Sequence, residues 1–179
     1  MKKEAIKFII ELLCIALFSF IVFNTVIMPI KVDGNSMYPT LHDDDIGIMS
    51  STGLNEKNIK RFDIVVLDCD AIDKKIIKRV IGLPGEHIIY KDDKLYVNGV
   101  RYKEDFLDKQ YIKEAKEKYS STKFTNDFSV TVSKGKIFVL GDNRLGSADS
   151  RVFGEFSYSK IEGKRGILLF PFSHMKWVD

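Results

Sequence analysis

The chain has 179 residues, 45% hydrophobic and 30% charged, a balance that fits one packed domain with an appendage and excludes a disordered or repeat-built chain. Twenty-eight Lys and Arg against 25 Asp and Glu leave a formal charge of +3, spread along the chain, so no basic stripe for nucleic acid is expected. The two cysteines, Cys14 and Cys69, fall one inside and one far outside an apolar run, which excludes a disulfide framework.

Residues 1–7 form a short basic segment carrying Lys2, Lys3 and Lys7. After it comes FIIELLCIALFSFIVFNTVIMPI, residues 8–30, which as a helix of ~1.5 Å rise per residue is long enough to cross a bilayer core of ~30 Å. This run predicts a transmembrane anchor. Glu11 lies within a turn of its start and Asn24 is uncharged, so neither overturns the reading. A cleavable export signal would be shorter and would close on a small-x-small site, which is missing here. Basic residues ahead of the run place the amino end in the cytosol and residues 31–179 outside it, as one domain large enough to stand without disulfides.

Just beyond the run stands GNSMYPTL, Gly34 to Leu41. Gly34 and Pro39 around Ser36 suit an ordinary turn, and they equally suit a nucleophile presented on a fixed turn if a base accepts its proton. His42, followed by Asp43, Asp44 and Asp45, is a poor base for Ser36, because the chain would have to fold straight back. The same cluster lacks the spacing of zinc ligands. His87 and His174 are lone histidines in strand-like or terminal settings.

Short β-branched or aromatic segments bounded by Gly, Pro or Asp predict a mainly β domain: Ile64–Leu67, Ile76-Ile77 with Val80-Ile81, Ile88–Tyr90, Lys94–Val97, Ile137–Leu140 and Ile167–Phe170. Within YKDDKLYVNGVRY, the turn signals Asp92-Asp93 and Asn98-Gly99 predict consecutive antiparallel hairpins. Lys78 falls inside KKIIKRVIGLPGE, where on a strand it shares a face with Ile76 and Val80. Such a lysine either snorkels at an edge or sits in an apolar pocket that depresses its pKa and frees a neutral amine as general base. Arg79, on the other face, reads as a structural ion-pair donor. Residues 102–127 turn polar and read as a surface excursion, within which KEAKEKYSSTK suits either a brief helix or an exposed insertion. GDNRLGSADSR, Gly141 to Arg151, is a polar loop whose two arginines and two aspartates either are solvated or brace one another beneath an active site, with Ser147 able to orient an amine. Phe170, Phe172 and Trp177 near the carboxyl end fit either membrane contact or ordinary packing.

Ser36 in SMYPTL, the strand FDIVVL, Lys78 in KRVIGLPGE and the GDNRxxSxDSR loop, in this order, resemble bacterial type I signal peptidases of the Gram-positive form over nearly the whole chain. The resemblance implies an antiparallel β-sheet, small-barrel catalytic domain behind one transmembrane helix. It implies Ser36 as nucleophile, Lys78 as general base and Ser147 as the hydroxyl that orients the amine, with Asp149 and Arg151 holding the loop. Gly34 stands where some relatives carry a serine that completes the oxyanion site. Val32, Met37, Leu41, Ile76 and Ile77 align with positions shaping the substrate pockets. Phe62 and Glu86 stand where the family often has glycine and aspartate. The implied partners are signal peptides of exported preproteins, cleaved after small residues, together with membrane lipid and the export machinery, with no metal or cofactor. The implied location is the cell membrane, in a single pass. Two other readings are a self-cleaving Ser-Lys repressor, whose DNA-binding domain has no counterpart here, and an anchored peptide-binding domain without catalysis.

Overall fold

A computed structural model describes residues 2–179; Met1 and the side chains of Lys2, Ala5 and Asn24, part of the basic start and one polar residue of the apolar run, lie outside the described residues. The chain opens with helix α1, Lys2–Val26. Its described side chains are all exposed, so an apolar surface of four or five turns is left for an environment other than water to cover.

The helix stops four residues short of the end of the apolar run. Ile27–Lys31 is instead strand β1, paired antiparallel with β2, Ile46–Ser50, from Ile27 opposite Ser50 to Lys31 opposite Ile46. The predicted helical anchor over 8–30 is therefore corrected at its carboxyl end. Pro29 cannot continue a helix but is tolerated on an edge strand, and Ile27 and Ile30 suit a pleated one. Ser51 closes the helix: its N–H donates to the Val26 carbonyl at 2.9 Å and its hydroxyl to the Thr25 carbonyl at 2.8 Å.

The main sheet continues with β3 (Ile64–Cys69) and β4 (Lys74–Gly82), then β9 (Lys136–Leu140), β10 (Phe156–Ser157), β11 (Ile161–Phe170) and β12 (Lys176–Val178). Its order is β1-β2-β11-β3-β4-β9-β10, with β12 on β11, and every pair is antiparallel. The hairpin segment gives β5 (His87–Lys91), β6 (Lys94–Val97) and β7 (Val100–Tyr102), which with β8 (Phe128–Thr131) make a second antiparallel sheet in the order β7-β6-β5-β8. The polar insertion holds helix α2, Lys109–Lys118, and the GDNR loop runs into the single turn α3, Ser150–Phe153.

Strand β3 explains why the core has two faces. Val65 and Leu67 pack with Val80, Ile137, Val139 and Ile161, while Ile64 and Val66 pack with Val32, Met37, Leu41, Met49 and Leu168. An unbroken apolar strand thus serves both sides by simple alternation. The third cluster, Ile81, Ile88, Tyr90, Leu95, Phe138 and Leu140, joins the second sheet to the first. Phe62 adopts a left-handed backbone, φ 73°, a conformation that favours glycine. The strained turn it makes is tied on both sides, its N–H donating to the Val80 carbonyl at 2.7 Å and its own carbonyl accepting from Arg79 Nη1 at 2.8 Å. Glu86 takes both guanidinium nitrogens of Arg61 and the N–H of Leu83, fastening the turn into β5.

Candidate active site

The turn that carries Ser36 is built from backbone bonds and one glycine. Val32 and Asp45 are joined by the Val32 N–H to Asp45 carbonyl bond at 2.8 Å, and the Asp44 N–H returns to the Val32 carbonyl at 3.0 Å. Gly34, at φ 86°, turns the chain in the left-handed region while its N–H donates to Asp43 Oδ1 at 2.8 Å. A serine side chain there would meet open space but a strained backbone, which is a physical reason for glycine at this position.

The GDNR loop clasps this turn from the other side. Asn143 donates its backbone N–H to the Ser36 carbonyl and its side-chain Nδ2 to the Asn35 carbonyl, both at 3.0 Å. Gly141 makes the approach possible. A Cβ on it would lie 2.4 Å from the Ser36 carbonyl oxygen and 2.2 Å from Ser147 Oγ, so only glycine fits. Asp142 is buried and accepts from Thr40 Oγ1 at 2.5 Å and from Arg79 Nε and Nη2 at 2.8 and 2.7 Å. One carboxylate thus ties together the turn that carries Ser36, strand β4 and the loop.

Lysine 78 enters from β4, opposite Val65 of β3, and is only 3% exposed. Its Nζ donates to Ser36 Oγ at 2.8 Å and to the Ile77 carbonyl at 3.0 Å. Burial pushes its pKa down to about 8, against a smaller opposing pull from Asp149, Cys69 and Asp142. At pH 7 about one amine in ten is then neutral, rather than one in a few thousand, and a neutral amine accepts the Ser36 hydroxyl proton instead of donating to it. The backbone N–H of Ser36 makes no hydrogen bond to protein among the described residues, so it is open to a developing oxyanion.

Two features of the loop differ from expectation. Ser147 Oγ does not bond the amine: it is buried without a hydrogen-bond partner among the described residues, set over Gly141 beside the Ser36 carbonyl, while Lys78 takes the Ile77 carbonyl as its second acceptor. The loop's arginines and aspartates do not all pair among themselves, because their charges are needed elsewhere. Asp142 goes to Arg79, and the fully buried Arg144 goes to Glu104 at 2.5 Å and to the Tyr90 hydroxyl at 2.8 Å. Asp149 and Arg151 do pair within the loop, Arg151 Nε and Nη2 each 2.8 Å from the carboxylate, which also takes the Gly141 N–H at 3.0 Å. Arg151 further reaches the Arg144 carbonyl at 2.8 Å.

A groove of about 390 Å³ leads up to Ser36 and Lys78. Val32, Met37, Ile76 and Ile77 line it. Leu41 does not. The turn that bonds its N–H to the Met37 carbonyl carries it inward, where it is fully buried against β2 and β11. Met28, Ile30, Val66, Ala148 and Phe153 are further apolar residues in its walls, which the sequence concealed, and Lys31, Asp33, Lys74 and Lys75 add charge to the lining. Met28 and Ile30 lie in what reads as helix, and Phe153 sits beyond the loop. Strand β1 is an edge of the sheet, and β9 pairs with β4 only from Arg79 onward, so Lys74–Lys78 has β3 on one side and a free edge on the other. Two unpaired strand edges therefore border one groove, the arrangement that accepts an extended peptide between them.

The histidines lie apart from this chemistry. His42 and His174 stack at 4.3 Å around the buried Asp45, which accepts the His42 backbone N–H at 2.8 Å and lies 2.7 Å from His174 Nδ1. Their three ligand atoms lie within 4.8 Å of one another, so this group could hold a cation, although the near-parallel rings would first have to turn. His87 bonds Ser129 at the surface. Phe172 and Trp177 stand more than 70% exposed near the carboxyl end.

Comparison with known proteins gives a consistent picture. The family model for signal peptidase, peptidase S26, matches residues 3–170. Signal peptidase I U of Bacillus subtilis (strain 168) is 38% identical over 178 residues, 98% of this chain and 94% of the relative. Signal peptidase IB of Staphylococcus aureus (strain MRSA252) is 35% identical over 184 residues, 99% and 95% of the two chains. A crystal structure of a signal peptidase I from Enterococcus faecalis V583 superimposes with a TM-score of 0.51 at 40% identity, covering 62% of this chain and 96% of that one.

Proposed function

The chain belongs to the signal peptidase S26 family of serine proteases, as a bacterial type I signal peptidase, and from that premise we propose that Ser36 and Lys78 form the catalytic dyad with which it removes signal peptides from exported preproteins. The observation that carries the dyad is the 2.8 Å contact between Lys78 Nζ and Ser36 Oγ inside an apolar enclosure. Neutral Lys78 takes the Ser36 proton as Oγ attacks the scissile carbonyl, and the Ser36 N–H receives the oxyanion. The proton passes from Lys78 to the departing amine. A water deprotonated by the same amine then opens the acyl-enzyme and regenerates both side chains. The loop of Asp149 and Arg151 keeps Gly141 and Asn143 against Ser36, and so fixes the nucleophile without touching the substrate.

The substrate lies extended between the edges of β1 and Lys74–Lys78, with Val32, Met37, Ile76 and Ile77 beside the small side chains before the bond, of the Ala-x-Ala type. Helix α1 is the membrane anchor, residues 1–7 remain cytoplasmic and residues 31–179 form the extracytoplasmic catalytic domain. The test is cleavage of a membrane-inserted preprotein with an Ala-x-Ala site by the intact chain and by Ser36→Ala in detergent or liposomes. Cleavage at that site by the intact chain alone is expected. Equal cleavage by both would remove Ser36 from the mechanism.

A further inference from the structure

A second cavity, about 420 Å³, opens against the same turn from the opposite side. The groove takes Asp33, Ser36 and Met37 of the turn, and the second cavity takes Asn35 and Tyr38. Its far wall is helix α2, with Tyr111, Glu114 and Lys118, and Tyr119 closes it at the end of that helix. The helix is held in place. Asp108 caps it by accepting the Tyr111 N–H at 2.6 Å, Lys116 pairs with Asp93, and the Tyr111 ring meets Tyr38 edge-on at 5.0 Å. Tyr119 spans to the GDNR loop, where its hydroxyl would lie 2.8 Å from a Cβ on Gly146.

The direction of a substrate through the site follows from β1. That strand starts at the end of α1 and runs toward Ser36, so the groove begins near the anchor at Met28 and ends at the nucleophile. A signal peptide emerging beside the anchor fills the groove in the same sense, and the residues after the scissile bond leave past Ser36 toward Asn35 and Tyr38. There they meet three tyrosine rings whose hydroxyls bond no protein group among the described residues, while Glu114 and Lys118 oppose each other's charge at the rim. Aromatic faces with free hydroxyls suit a polar or aromatic side chain on an extended peptide. Burial, with Tyr119 and Tyr38 beside it, pushes the Tyr111 phenol up to about 12, so it stays a donor at any working pH.

Resting on the peptidase reading above, we propose that this cavity, walled by α2 and Tyr119, binds the first residues of the mature chain and sets a preference for a polar or aromatic side chain just after the cleavage site. The test uses two peptides with one Ala-x-Ala half: a short peptide amide that ends at the first residue after the scissile bond, and a long one that continues for three more residues including Gln and Tyr. The full chain in detergent micelles is compared with Tyr119→Ala, which opens the cavity, and Lys118→Trp, which fills it from an exposed helix position. The quantity read is the ratio of kcat/KM for the long over the short peptide. An aromatic wall of this kind is worth about a factor of 5, so the ratio should fall about 5-fold in each variant and also when the extra residues are replaced by glycine. A ratio near one in the unaltered chain, or a ratio unmoved in both variants at unchanged melting temperature, would overturn the assignment while leaving the peptidase standing. Failure of the unaltered chain to cleave either peptide would overturn the peptidase reading, and the subsite with it.

Discussion

Replacing Lys78 by methionine should abolish cleavage and, at neutral pH, stabilise the fold. The buried amine titrates near 8 in the folded chain and near 10.4 when unfolded. Between those values the unfolded chain binds the extra proton, so stability rises with pH through that window, and below it the folded state carries the full cost of a buried ammonium. That cost is on the order of 3 kcal/mol at pH 7. Against it stand the hydrogen bonds to Ser36 Oγ and the Ile77 carbonyl, each worth about 1 kcal/mol net. Methionine has similar length and no charge, so the variant should gain roughly 1 kcal/mol, or about 2–4 °C in melting temperature for a domain of this size. The assay is thermal unfolding in detergent from pH 6.5 to 10, with preprotein cleavage measured on the same samples. The gain should shrink as the pH rises from 8 toward 10 and the folded wild-type chain sheds the buried ammonium. A variant that melts lower than wild type by the same margin at every pH would refute the account, because it would make the lysine a structural support.

The pH dependence of cleavage offers an independent reading of the same amine: kcat/KM should rise close to tenfold from pH 7 to 9 and then level off, whereas a still-rising rate at pH 10 would mean an ordinary exposed lysine. Gly141→Ala should cost at least ~10²-fold in kcat with a smaller effect on KM, since the added methyl drives into the Ser36 carbonyl and Ser147 Oγ; kinetics of the purified variant decide it, and a near-normal kcat would dismiss the clasp. Asp142→Ala leaves Arg79 buried without its carboxylate and should destabilise by about 3–5 kcal/mol in denaturant unfolding, and a loss below 1 kcal/mol would show that the Phe62 carbonyl is enough for the guanidinium.

What the sequence revealed and what it concealed divide along the range of the interactions involved. Strand β3 could be read because its four apolar residues and the Asp before them are local facts, and the hairpins because Asn98-Gly99 dictates its own turn. Lys78 stood out because a charge amid isoleucines and valines has few physical justifications. The end of α1 did not stand out: the choice between helix and strand at Ile27 is made by β2, twenty residues on, which offers a pairing edge that no local pattern announces. Leu41 was misplaced for a related reason, since its side-chain direction depends on the turn back to Met37. Arg144 meets Glu104 across forty positions, and a pairing of that span leaves no trace in spacing. Ser147 shows a different limit, because residue type suggests a bond that side-chain placement decides, and the amine bonds Ser36 Oγ and the Ile77 carbonyl instead.

The joint between α1 and β1 contains no spare residue: Val26 ends the helix, Ile27 begins the strand, and Ser51, just past β2, bonds the last two helical carbonyls. The five residues of β1, ~17 Å when extended, span the distance between the end of the helix and the turn that carries Ser36. With α1 as the proposed anchor, the length of β1 sets how far from the bilayer surface Ser36 is held.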